Sequence, residues 1–269
     1  MNLDALAHSL AGGMICRCDF GHPSHPTQTV GITLSGQPLV PDFPPIPEHL
    51  SCSFNLDVFA QTRRRQGGYC LSHGEVSSSI ITQRIWEGYA TLLALDHLHN
   101  TQGLVIDLGC QAGWYSMLGG LTGHEVLAVD CDPECAAVAQ RNAAMNGFSL
   151  TPCFGHIDAN TPALKGPVEI SLLKVDIEGY EIDAVRVFGE SFRRKTIEAA
   201  LIEVSPVFTD VKRCQEMLEF LLSCGYGVYH VPEKGDVFDD PLVQIRRRPV
   251  EMPLQMDEQG QMDVWVSRG

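Results

Sequence analysis

Three observations predict an α/β fold, a Rossmann-like three-layer sandwich on a mostly parallel seven-stranded sheet. Short apolar runs alternate with helical patterns from about residue 77 onward. The first run, within Val105-Ile-Asp-Leu-Gly-Cys-Gln-Ala-Gly113, passes straight into a turn carrying an acid and two glycines. The last two runs, Gly227–Val231 and Met262–Ser267, have no helical pattern between them. Alternation of this kind gives parallel strands joined by right-handed crossovers and covered on both faces. The closing pair adds an antiparallel hairpin at one edge. A ligand pocket is then expected at the carboxyl ends of the strands, where the chain order reverses.

Each element has its own justification. Ile80, Ile81, Ile85, Tyr89, Leu92 and Leu93 recur at helical spacing and predict one helix from about Ser79 to Leu98. Leu104–Asp107 is the first strand, followed by a helix from Gly113 to about Leu121. Glu125–Val129 is the second. Asp132 then reads as an N-cap with Pro133 at the first helical position, and Gly147 closes that helix. A weak third strand spans about Thr151–Ile157, and the apolar run Ile170–Asp176 is the fourth. Gly179 opens the next turn and helix, and Ala199–Val204 is the fifth strand. Val211, Cys214, Met217, Leu218, Leu221 and Leu222 line one face of a helix ended by Gly225. A charged loop of about residues 232–261 precedes the last strand.

Residues 1–75 read differently from 76–269. Seven of the sixteen prolines fall between Pro23 and Pro47, which disfavours helix and central strand there. This part is expected to be an extension flanking the main domain, which occupies 76–269.

The glycine turn carries the first chemical signal. An apolar strand delivers it to the sheet edge, and glycines let backbone and ligand approach closely. Gln111 stands where a dinucleotide fingerprint needs its second glycine, so NAD is disfavoured. What remains is D-x-G-x-x-x-G, with Asp107, Gly109 and Gly113, and a further acid, Asp130, at the next strand tip. Asp107 can orient backbone amides or accept from a cofactor amino group. Asp130 suits a bidentate hydrogen bond to ribose hydroxyls, because Asp132 already serves the following helix. Asp158 ends the third run and is a candidate acceptor for an adenine amino group. The pattern resembles motif I and the motif II acid of class I S-adenosylmethionine-dependent methyltransferases.

The second signal is Leu172-Leu-Lys-Val-Asp-Ile-Glu-Gly-Tyr-Glu181, which places Lys174, Asp176, Glu178 and Glu181 within eight residues. A lysine inside an apolar strand is costly to bury unless paired. Side chains at i and i+2 share a face, so Lys174 and Asp176 can pair at the pocket mouth. This segment resembles the K-D-E-G-x-E signature of the FkbM family of methyltransferases. Glu87 matches that family's upstream glutamate and joins the candidate cofactor contacts. Glu203 matches the acid of its fifth strand, and Asn142 and Asn146-Gly147 match its asparagine-rich helix end. The resemblance spans about residues 80–231. It departs at Gly109-Cys-Gln-Ala-Gly113, where the family has Gly-Ala-Asn-x-Gly. It implies methyl transfer from S-adenosylmethionine to a hydroxyl oxygen, on a sugar or polyketide-type small molecule. Asp176 is the first candidate base and Glu178 the second, with Lys174 orienting Asp176 or holding a substrate oxygen. The free carboxylates could also hold a divalent ion.

Composition bounds the alternatives. No run of 18 apolar residues suggests a membrane span, and no secretory signal is read at the N-terminus, so a cytoplasmic location is expected. A formal charge of −14 with no basic stripe disfavours nucleic acid as a partner. Arg63-Arg64-Arg65 and Arg246-Arg247-Arg248 read as solvated loop charge. The ten cysteines are scattered without a disulfide pattern, and reduced thiols are expected. Cys16, Cys18, His22 and His25 match no common zinc spacing, and no metal ligand is assigned. Two other readings compete: an oxidoreductase on the same layered fold, and a non-catalytic S-adenosylmethionine-binding module docking through its extension.

Overall fold

The computed structural model describes residues 2–10, 24–36, 45–60, 73–232 and 248–268. Helix α1 (Leu3–Leu10) and the hairpin β1 (Thr27–Leu34) and β2 (Cys52–Phe59) come first. Then come α2 (His73–Gln83), α3 (Gly88–His99), β3 (Leu104–Leu108), α4 (Trp114–Leu121), β4 (Glu125–Asp130), α5 (Pro133–Met145) and β5 (Thr151–Phe154). The second half holds β6 (Ile170–Val175), α6 (Glu181–Val187), α7 (Gly189–Arg193), β7 (Ile197–Val204), α8 (Val211–Ser223), β8 (Tyr226–Val231) and β9 (Met262–Arg268).

The main sheet runs β5-β4-β3-β6-β7-β9-β8. The five strands from β5 to β7 are parallel, and β9 inserts antiparallel between β7 and β8. Chain order reverses between β3 and β6, so the crevice lies beyond their carboxyl ends. Successive strand residues serve opposite faces. Val105, Leu172, Leu201 and Trp265 pack under α3, α4 and α5, whereas Ile106, Leu173, Ile202 and Val264 pack under α6, α7 and α8. The three-layer sandwich follows directly.

Two expectations are corrected. The single helix read across Ser79–Leu98 is two helices, α2 and α3. Arg84 (φ 61°) and Glu87 (φ 43°) lie in the left-handed region, and the break between them turns Glu87 toward the strand tips. Neither residue is a glycine or proline, and the local signal is limited to Gly88, which begins α3. The third strand stops at Phe154 rather than Ile157. Asp158 sits beyond it, in a turn that its own side chain closes by accepting from the amides of Asn160 (2.8 Å) and Thr161 (3.0 Å).

The residues on either side of the Pro38–Pro47 run form regular structure. Strands β1 and β2 form a separate antiparallel pair, with Val30, Ile32, Leu56 and Val58 buried in the α3–α4–α5 core. Helix α1 buries Leu6, Ala7 and Leu10 on the opposite side.

Candidate active site

The turn after β3 is shaped by backbone constraints. Gly109 (φ 79°) crosses so close to the end of β6 that a Cβ would lie 1.7 Å from the Asp176 carbonyl oxygen. Gly113 (φ 84°) packs against α5, where a Cβ would meet that of Ala139 at 2.9 Å. Between them Gln111 also adopts a positive φ (48°), and its Oε1 accepts from the Ala112 amide at 2.9 Å. Its Nε2 is buried with no hydrogen-bond partner among the described residues.

Two acids hold this turn. Asp130, at the tip of β4, accepts from the Gln111 amide (2.8 Å) through one oxygen and from the Asp132 amide (2.8 Å) through the other. Asp107 accepts from both the amide (2.9 Å) and the hydroxyl (2.6 Å) of Ser116, fastening the start of α4 to β3. Burial pushes the Asp107 carboxyl up to about 6, against the lowering effect of its Ser116 bonds and of Lys174. Of the two roles expected for Asp107, its contacts match the orienting of backbone amides.

The second cluster lies one strand over on the same face. Lys174 sits opposite Asp107 in the β3–β6 register. Its ammonium lies 3.4 Å from Asp176 Oδ2, 3.5 Å from Glu87 Oε2 and 3.7 Å from Asp263 Oδ1, and 5.1 Å from the centroid of the Tyr115 ring. The Tyr115 hydroxyl donates to Glu87 Oε2 at 2.6 Å. Glu203 and Asp263 face each other across the β7–β9 pair, close enough for their charges to act on the same group. Burial alone would lower the Lys174 pKa, but Glu87, Asp263, Asp176 and Glu203 outweigh it and hold the ammonium charged. In return, burial first and neighbouring acids second raise Glu87 to about 8 and Glu203 to about 9. One ammonium cannot neutralise four carboxylates in a dry site, so the cluster retains protons.

The loop after β6 is built by Glu181. Its carboxylate accepts from the amides of Ile177 (3.0 Å) and Gly179 (3.1 Å), fixing the turn that carries Glu178 at φ 54°. Burial pushes Glu181 up to about 7. The Lys174 side chain is only 3% exposed, while that of Asp176 is 24% exposed. Within this pair, Asp176 is the member exposed to solvent at the end of β6.

The predicted residues therefore fall into groups. Asp107, Gly109, Gly113 and Asp130 surround one turn, and Lys174, Asp176 and Glu87 meet at the next strand tip. Glu178 lies in the loop beyond, and Asp158 is engaged in its own turn. Sequence reasoning missed Asp263 and Tyr115. Asp263 had a usable signal, an acid set in the apolar strand Met262-Asp-Val-Trp-Val266, as Lys174 is in its own strand. No group of three or more His, Cys, Asp or Glu is arranged to hold a metal among the described residues. Cys16, Cys18 and His22 lie outside them, while His25 pairs with Glu134 at 3.4 Å.

Comparison with known proteins agrees with this geometry. Residues 156–228 match the methyltransferase FkbM domain, and residues 89–166 match ribosomal protein L11 methyltransferase (PrmA). The chain carries an S-adenosylmethionine-dependent methyltransferase domain, similar over residues 156–228 to the methyltransferase FkbM domain. Solved structures similar to it include a TehB-like methyltransferase from Corynebacterium glutamicum (14% identity, 71% of this chain, 93% of that chain, TM-score 0.42). Others are the Thermus thermophilus 16S rRNA N2 G1207 methyltransferase (10%, 91% and 52%, 0.44) and the Synechocystis magnesium protoporphyrin IX methyltransferase (11%, 73% and 85%, 0.43). Likeness at this level assigns no acceptor to the domain. No curated protein sequence matches the chain.

The residues of the first turn fit the cofactor of this enzyme class. Two glycines open the turn, a buried Gln111 amide nitrogen faces no acceptor among the described residues, and each Asp130 oxygen has the capacity for more than one donor.

Proposed function

We propose that the methyltransferase domain methylates a hydroxyl oxygen of a small-molecule or sugar-containing acceptor. The observation that supports this reading is the Lys174–Asp176 pair at the end of β6, buried on the lysine side and exposed to solvent on the aspartate side. Bound S-adenosylmethionine supplies an electrophilic methyl carbon on a sulfonium. In this reading Gly109, Gly113 and Asp130 hold the cofactor, and Asp107 and Glu87 position the elements around it. Asp176 accepts the proton of the acceptor hydroxyl as the oxygen–carbon bond forms, which suits a poor nucleophile. Glu178, in the adjoining loop, is the second candidate for that base. Lys174 is too enclosed to reach a substrate oxygen and acts by orienting Asp176. Positive charge disperses as the methyl leaves sulfur, so positioning is the main demand, and good positioning contributes about 7–11 kcal/mol.

A charge of −14 and an acid-rich strand tip favour a neutral hydroxyl acceptor over a polyanion. No helix among the described residues is long and apolar enough to cross a membrane. No disulfide joins the seven described cysteines, which suits a reducing compartment, and the cytoplasm is the proposed location.

The test is transfer of labelled methyl from S-adenosylmethionine to sugar-bearing and polyketide extracts, with RNA and ribosomal protein as parallel arms. Label in an alkali-stable methyl ether, lost in Asp176→Asn, is the expected result. Label confined to RNA or protein nitrogen would overturn the hydroxyl reading.

A further inference from the structure

We propose that the β1–β2 hairpin is a working part of cofactor binding, coupled to the glycine turn through Asn142 of α5. The inference rests on the cofactor reading of that turn. Asn142 is completely buried, and its amide is divided between two partners. Its Oδ1 accepts from the Asp57 amide of β2 at 2.7 Å, and its Nδ2 donates to the Asp57 carbonyl at 3.0 Å. The same Nδ2 donates to the Ala112 carbonyl at 2.8 Å, in the middle of the turn between Gln111 and Gly113. A primary amide has two N–H donors, so one serves the hairpin and one serves the turn.

One helical turn further on, Asn146 repeats half of this pattern. It accepts from the Asn55 amide at 2.8 Å and donates to the Asn55 carbonyl at 2.5 Å. Four residues of helix advance about 6 Å and two residues of strand about 6.7 Å, so the two asparagines match alternate peptide groups of β2. Helix α5 thereby stands in for a neighbouring strand along the outer edge of the hairpin. Arg141 adds an ion pair to Asp57 at 2.7 Å and a hydrogen bond to Thr27 at 2.7 Å. Of these three anchors only Asn142 also touches the turn.

The turn has reason to depend on an outside support. Gln111 holds a positive φ, a conformation that asparagine tolerates better than glutamine. The neighbouring Ala112 carbonyl is fixed from α5 by the Asn142 amide. Docking the hairpin orients the Asn142 amide, and the oriented amide holds Ala112. A ligand that needs the ordered turn must then favour the docked hairpin by the same factor, because coupling between sites is reciprocal.

The experiment uses the full chain and S-adenosylhomocysteine as probe. Backbone hydrogen exchange at Asn55 and Asp57 is measured with and without saturating probe, with the Tyr226–Val231 strand as the remote reference. The expected result is exchange slowed about tenfold at both hairpin amides and unchanged in the reference. Asn142→Asp keeps the acceptor for the Asp57 amide and loses both donors. It should bind the probe about tenfold more weakly by calorimetry and no longer transmit protection to the hairpin. A purely structural Asn142 would lower stability without linking the probe to hairpin exchange. Probe binding that leaves hairpin exchange unchanged in the wild-type protein would overturn the coupling, whether or not the variant folds. Absence of any binding heat in the wild-type protein would instead overturn the cofactor reading, and the coupling with it.

Discussion

The two groups of strand tips meet their buried acids in opposite ways. At β3 and β4, Asp107 and Asp130 each accept from backbone amides, and the result is a turn of fixed shape. At β6, β7 and β9, Asp176, Glu203 and Asp263 join Glu87 around a single ammonium. The first arrangement is satisfied by backbone hydrogen bonds, and although burial raises Asp107 to about 6, its shift is smaller than those of Glu87 and Glu203. The second is held by charge and changes when protons move. One fold thus separates a shape-defined binding turn from a titratable cluster, with Asp107 and Lys174 side by side in register as the boundary.

The largest expected effect breaks the boundary itself. Gly109→Ala drives a methyl group into the Asp176 carbonyl and forces a left-handed alanine. A loss of about 4 kcal/mol or more is expected by denaturant unfolding, with probe binding abolished. Near-native stability would mean that the two tips are not in such close contact.

Lys174→Met should cost about 3–5 kcal/mol, because it leaves buried carboxylates without their ammonium. Adding Asp263→Asn should recover part of that loss. Asp107→Asn, at the geometric tip, should cost about 1–3 kcal/mol through its Ser116 bonds. Equal losses for the two single variants would erase the contrast.

Function should divide along the same line. Asp176→Asn is expected to lower turnover by about 10²–10⁴ while leaving S-adenosylhomocysteine affinity within about twofold. Asp130→Ala should weaken that affinity by at least about tenfold. Equal loss of binding in both would remove the role given to Asp176.

The smallest effect is the pH dependence of stability. Burial, reinforced by neighbouring acids, raises Glu87 to about 8 and Glu203 to about 9 from an ordinary 4.5. The folded protein therefore holds protons that the unfolded chain releases. Their contribution is fully present below about pH 4.5 and is lost as pH rises through 8 and 9. Melting temperature should fall from pH 6 to 9, and Glu203→Gln should flatten that fall.

The main sheet was legible because each strand is an apolar run bounded by its own turn chemistry, as at Asp132-Pro133 and Gly179. The Lys174–Asp176 pair was legible because a lysine in an apolar strand needs a partner within reach. Other features depend on tertiary contacts that leave little local trace. The break at Arg84–Glu87 puts the positive φ on two non-glycine residues, and Gly88 beside them reads equally well as a tolerated glycine inside one helix. The docking of β2 on Asn142 and Asn146 joins segments about 90 residues apart, which no local pattern encodes. Asp263 becomes part of the cluster only because β9 returns between β7 and β8.

A crystal structure with S-adenosylhomocysteine bound tests the central claim most directly. The account predicts the ribose at Asp130, the homocysteine portion at the Gly109–Gly113 turn, and the sulfur facing Asp176 across the crevice between β3 and β6. A ligand bound away from the carboxyl ends of β3 and β4, or with its sulfur turned from Asp176, would contradict it.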